Sequence, residues 1–233
     1  MTSCRMADGV HLRTGAKLGA LESRHAPERK TLNMRHRSLV PTLFALLLLA
    51  FSGQALAEEA AARAVVEKLH EALLGAMKSG APAAARREAL APVIAESFDF
   101  PTICRIVTGR YWKDASEAQQ ARFIETFQRL SLATYASNFK SYGGERFETT
   151  AVEPDQDSQV VRTLLHTGEG KQVTLNYLLR QSDGTWRIVN VIAQGVSDLS
   201  LKRADYTAVI KSEGFDSLVN RLDKKIAETE QNP

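Results

Sequence analysis

The chain has 233 residues, 44% hydrophobic and 24% charged, with a formal net charge of +3. The basic excess sits at the front: the first 57 residues hold eight of the 30 Lys+Arg and three of the 27 Asp+Glu, leaving 22 against 24, a net of −2, beyond them. The sequence pI of about 8.9 therefore belongs to the leading segment and is no argument for nucleic acid, which is not expected as a partner of the remainder. Of the two cysteines, Cys4 lies in that leading segment and Cys104 stands alone after it, which excludes an internal disulfide in the remainder.

Residues 1–33 are polar, basic and aperiodic, and are read as a non-native extension ahead of a true start at Met34. Residues 34–57 have the three parts of a secretory signal. Arg35, His36 and Arg37 form the basic head, Leu39 to Phe51 the uncharged middle, and Ala55-Leu56-Ala57 the small-x-small end, with cleavage expected after Ala57. The 13-residue middle falls short of the roughly 20 apolar residues that span a bilayer. Export to the periplasm is the expected location, with residues 58–233 as one domain large enough for its own core.

Ala60 to Ser79 is predicted helical from Val65, Leu69, Leu73 and Met77 at four-residue spacing, stopped by Gly80 and Pro82. A second helix is expected over 83–97 with Pro92 as a break, and a short one over Pro101 to Thr108 ended by Gly109. Ser116 and Gln119 make a capping box for a long helix reaching about Ser141, with Phe123, Phe127, Leu130, Thr134, Tyr135 and Phe139 on its apolar stripe. The period then changes to two. Four strands are predicted, Phe147 to Val152, Val160 to Thr167, Gln172 to Gln181 and Thr185 to Ala193, the last pair joined by an Asp183-Gly184 hairpin turn. Ser197 is read as the cap of a helix to about Lys211, and Gly214 separates a last helix carrying Leu218, Leu222 and Ile226. Helices, an antiparallel meander and more helices make an α+β fold.

Val173, Leu175, Tyr177 and Leu179 give the third strand one apolar face. Alternation along the fourth puts Trp186, Ile188 and Ile192 on one face and Val189 and Val191 on the other, so the sheet is expected to be covered by helices on both sides or to line a cavity.

No catalytic constellation emerges, and the chain is read as a non-enzyme with no cofactor and no metal. His70, between Glu67 and Glu71, is expected on the solvated side of its helix, and His166 exposed near a strand end. Asp155-Gln156-Asp157 lacks the glycine and distal glutamate of a calcium loop and is read as a turn. Gly195-Val196-Ser197 lacks the second glycine of a nucleophile elbow, and Cys104 reads as a small core residue.

Gly109-Arg110-Tyr111-Trp112, followed by Gln120, Phe123 and Phe127, resembles the MlaC family of periplasmic lipid carriers, the toluene-tolerance Ttg2D-like proteins. Phe98-Asp99-Phe100, Tyr177, the Asp183-Gly184 turn, Trp186, Val189, Val191 and Gly195-Val196-Ser197 extend the resemblance from about Arg63 to Leu222. The run from Gly195 to Tyr206 is similar to the hopanoid-associated HpnM subgroup, while Asn190 stands where many family members carry aspartate. The resemblance implies a curved sheet with a helical cover, like nuclear-transport-factor cones, around an apolar pocket. It implies a shuttle that carries a lipid, hopanoid or phospholipid, between an inner-membrane transporter and an outer-membrane acceptor. Such a carrier would be a monomer touching membranes only transiently.

The expected pocket wall is Ile103, Val107, Tyr111, Trp112, Phe127 and Leu130 from the helices, and Val173, Leu175, Tyr177, Val189, Val191 and Val196 from the strands. Core and cavity wall use the same residue types, so each could equally be plain core. Tyr111, Trp112 and Tyr177 are expected at the pocket mouth, apolar body inward and polar tip in water. Two other readings stay open: a periplasmic adaptor without ligand, and an enzyme acting on a small apolar substrate within such a cone.

Overall fold

The computed structural model describes residues 40–231, with side chains from Leu56 onward. The expected extension (1–33) and the basic head of the signal lie outside the described residues. Helix α1 (Val40–Lys78) continues unbroken through Ala57, well ahead of the predicted start at Ala60. Among its described side chains the first buried one is Ala62, so its packing against the rest of the domain begins beyond the expected cleavage point. Among the described residues no helix is long and apolar enough to cross a membrane.

Helix α2 (Ala83–Ser97) contains Pro92 without interruption, and α3 (Phe100–Thr108) follows after two residues. The cap of α3 is Asp99, whose carboxylate accepts the Thr102 N–H at 3.0 Å, and proline occupies its first turn, where no helical donor is lost. A 3-10 turn (Gly109–Trp112) leads to α4 (Glu117–Asn138), which opens on the expected Ser116–Gln119 capping box. After the sheet come α5 (Asp198–Glu213), capped by Ser197, and α6 (Phe215–Gln231).

The sheet has five strands rather than four: β1 (Arg146–Asp155), β2 (Ser158–His166), β3 (Gln172–Ser182), β4 (Thr185–Ala193) and the two-residue β5 (Val196–Ser197). They form an antiparallel meander in chain order. Asp183 and Gly184 both take positive φ, 52° and 75°, as the predicted tight hairpin requires. Gln194 and Gly195, at 50° and 79°, repeat the device and fold β5 back on β4, an element too short for a periodicity signal.

The β3–β4 register corrects the expected faces of β4. Leu178 pairs with Asn190 and Leu179 with Ile188, so Val189 is an extra residue in a bulge. The slip reverses parity: Trp186, Ile188 and Val191 lie opposite Gln181, Leu179 and Tyr177 on one face, and Ile192 joins Asn176 on the other. The first face, with Val161, Tyr177, Leu179, Trp186 and Ile188, enters the hydrophobic core with the helices. The reverse face contributes no residue to that core and carries exposed Glu148, Glu153, Arg162 and Arg180. The helices therefore cover one side of the sheet, and of the two expected alternatives the structure has the face that lines a cavity and not cover on both sides.

The α2–α3 junction is tied to the bulge. Phe98 forms a bridge with Ile188, and the Asp99 N–H donates to the Ile188 carbonyl at 3.0 Å. Arg86 is buried and donates through Nε to the Ala136 carbonyl at 2.9 Å and through Nη1 to that of Ala81, binding α2 to the end of α4.

Candidate functional site

The bulge, the α2–α3 junction and α4 enclose a cavity of about 560 Å³ between the sheet and the helices. Its floor is β3 and β4 (Leu175, Tyr177, Val189, Val191). Phe98, Phe100 and Ile103 form one wall, and Phe127, Leu130, Tyr135 and Phe139 from α4 form another. The β4–β5 turn starts α5 across the opening, bringing Asp198, Leu199, Leu201, Lys202, Asp205 and Tyr206 there, and α6 adds Lys225. Several aromatic rings meet around it: Phe98 with Tyr135 at 5.7 Å between centroids, and Phe127 with Phe100 at 6.2 Å and with Tyr206 at 6.3 Å. The interior offers apolar surface with a few phenols, and its charges stand at the opening, a composition that holds apolar molecules.

Of the expected wall residues, Ile103, Phe127, Leu130, Leu175, Tyr177, Val189 and Val191 line this cavity. Val107 is fully buried in solid core. Tyr111 and Trp112 pack half-buried against the core in the 3-10 turn. The Tyr111 hydroxyl accepts from Arg110 at 3.0 Å, and Gln120 donates to the Trp112 carbonyl at 2.8 Å. Val173, at the start of β3, and Val196 also lie outside it; the tight turn before β5 leaves Val196 half exposed to solvent. Phe98, Phe100, Tyr135, Phe139 and Tyr206 also line the cavity, although none was among the expected wall residues. Phe98 and Phe100 stand in the sequence as the Phe98-Asp99-Phe100 motif at a helix boundary, and their convergence on the cavity depends on the bridge from Phe98 to Ile188.

Tyr177 is 2% exposed rather than at the mouth. Its hydroxyl is hydrogen-bonded to His70 Nε2 at 3.0 Å, and the imidazole stacks on Phe147 at 3.9 Å. His70 is thus buried behind the cavity floor, not solvated. Burial lowers its pKa to about 4, which keeps it neutral, and burial first and Tyr135 second push the Tyr177 phenol up. The spacing Val66-His70-Leu73-Met77 follows the buried stripe of α1 and was the available signal. His166 is half-buried instead of exposed, bonded to Glu148 at 2.9 Å. Cys104 is buried in the core and its thiol is pushed up by burial, then by Asp99, which leaves it unreactive. Among the described residues no group of three His, Cys, Asp or Glu side chains could hold a metal ion.

The family model described as MlaC protein matches residues 64–224. The chain is 20% identical over 127 residues to the intermembrane phospholipid transport system binding protein MlaC of Haemophilus influenzae, covering 52% of this chain and 59% of that protein. It is 26% identical over 122 residues to the toluene tolerance protein ttg2D of Pseudomonas putida, covering 52% of this chain and 54% of that one. The matched region thus spans somewhat over half the length of these relatives. Among solved structures, a phospholipid-binding protein from Ralstonia solanacearum in complex with a phospholipid superposes with a TM-score of 0.64 at 22% identity, covering 73% of this chain and 97% of that one. At that identity the likeness establishes the fold.

Proposed function

The chain belongs to the MlaC family, and from that premise we propose that it is an exported, non-enzymatic lipid carrier. It would move hopanoid or phospholipid through the periplasm between an inner-membrane transporter and the outer membrane. One observation carries the reading: an aromatic- and aliphatic-walled cavity of about 560 Å³ opens between sheet and helices in a chain of this family. Exposing one lipid methylene to water costs about 0.8 kcal/mol, so an unshielded lipid cannot cross an aqueous compartment at a useful rate. A dry wall of side chains replaces the bilayer interior at little net change in free energy, which permits both loading and release. Relatives named for phospholipid transport support the class of cargo, and the likeness of residues 195–206 to the hopanoid-associated subgroup supports the hopanoid alternative.

The test is to produce the full chain in an export-competent bacterium that makes both lipid classes, purify the exported protein and extract it for mass spectrometry. The expected result is a product beginning at Glu58 with lipid in near-equal amount. Exported protein free of lipid, and unable to take it up from vesicles, would overturn the reading.

A further inference from the structure

The polar groups at the cavity opening are of mixed sign and partly unsatisfied. Tyr135 on α4 and Tyr206 on α5 both line the cavity, and neither phenol hydroxyl has a hydrogen-bond partner among the described residues. Among the described residues the one unpartnered side-chain atom sealed from solvent is Gln159 Oε1 on β2, away from the cavity, so neither phenol oxygen is sealed and both keep open space beside them. Their rings are fixed, Tyr135 against Phe98 and Phe139 and Tyr206 against Phe123 and Phe127, which holds the hydroxyls in place. Asp198 lies close enough to both to add to burial in pushing the phenols up, and Asp205 adds to this at Tyr206. Both hydroxyls therefore stay protonated and can donate.

Asp198 is ion-paired with Lys202, and Asp205 and Lys225 stand at the same opening. Two carboxylates against two ammonium groups cancel, so this end has no excess positive field for an anion. A hydroxyl group donates and accepts, and so can satisfy a carboxylate and a phenol together. A phosphodiester only accepts, so it leaves the carboxylates without a donor, and an opening of no net charge offers its charge no compensation.

We propose that this opening receives a neutral, hydroxyl-bearing polar end of the bound lipid, with Tyr135, Tyr206 and the Asp198–Lys202 pair as its contacts, and that a phosphate is disfavoured there. This assignment rests on the lipid-carrier reading and deepens it.

The experiment is calorimetric titration of delipidated protein, below micelle-forming concentrations, with lauryl glucoside, lauryl phosphate and the purely apolar butylbenzene. The glucoside binds most tightly of the three in this account, and Tyr135→Phe and Tyr206→Phe each cost about fivefold of its affinity. Both variants keep the ring, and binding of butylbenzene, which has no polar end, stays unchanged, which controls for folding and cavity. Phosphate binding as tight as glucoside binding overturns the assignment, as does a glucoside preference that survives in the double variant. Binding of butylbenzene without a glucoside preference overturns the polar-end assignment alone. Absence of binding by all three overturns the lipid-carrier reading beneath it.

Discussion

A neutral imidazole bonded to a phenol behind an apolar cavity makes the stability of this protein depend on pH. His70 titrates near 6.5 in an unfolded chain and at about 4 in the folded one, because burial disfavours its charged form. As pH falls through 6.5 the unfolded chain takes up a proton that the folded chain refuses. Stability from this group is complete above pH 6.5, declines down to about pH 4 and levels off below, a loss of about 3 kcal/mol in all. Urea unfolding measured across that window should show the loss in the wild type and lack this component in His70→Phe. Tyr177→Phe leaves His70 Nε2 without its partner and should cost about 1 kcal/mol at neutral pH. In the sequence, Glu67 and Glu71 beside His70 suggested a wet surface. The stripe position of His70 between Val66 and Leu73 indicated the opposite, and burial followed the stripe.

At the scale of elements, capping and turn chemistry were legible because they act over three or four residues. The Ser116–Gln119 box formed as its spacing indicates, and Ser116→Ala should lower stability by about 1 kcal/mol in thermal unfolding. The Asp183-Gly184 hairpin formed for the same local reason. The bulge at Val189 left no local signal: a strand interrupted by one extra residue has the same composition as one that is not. That slip moved Val191 to the face of Tyr177 and made one side of the sheet the floor of the cavity. Gly168 shows a second long-range constraint, since a Cβ there would sit 2.5 Å from the Gly143 carbonyl oxygen. Gly168→Ala should force these two loops apart at the β1–β2 end of the sheet and lower the unfolding midpoint, whereas Gly170→Asn, at a left-handed position with open space, should be tolerated far better.

Over the whole molecule, the α+β class and the order of elements could be read from the change of period. The cavity could not, because its wall is assembled from the α2–α3 junction, α4, the bulged strand and α5. Composition distinguishes a hole from a core only once those elements are placed, which is why Ile103 and Val107, one turn apart on α3, end in different places. Since described burial in α1 begins at Ala62, a chain starting at Glu58 should match the unfolding free energy of the full chain within about 0.5 kcal/mol. The central claim is that the cavity, and not the surface, carries lipid. The most direct measurement is the amount of lipid bound per protein after incubation with vesicles, in the wild type and in Leu175→Trp and Val191→Trp, which fill the cavity from two strands. With both variants folded by circular dichroism, the account predicts lipid near one per protein in the wild type and loss of most of it in each variant. Undiminished lipid in both filled variants would contradict it.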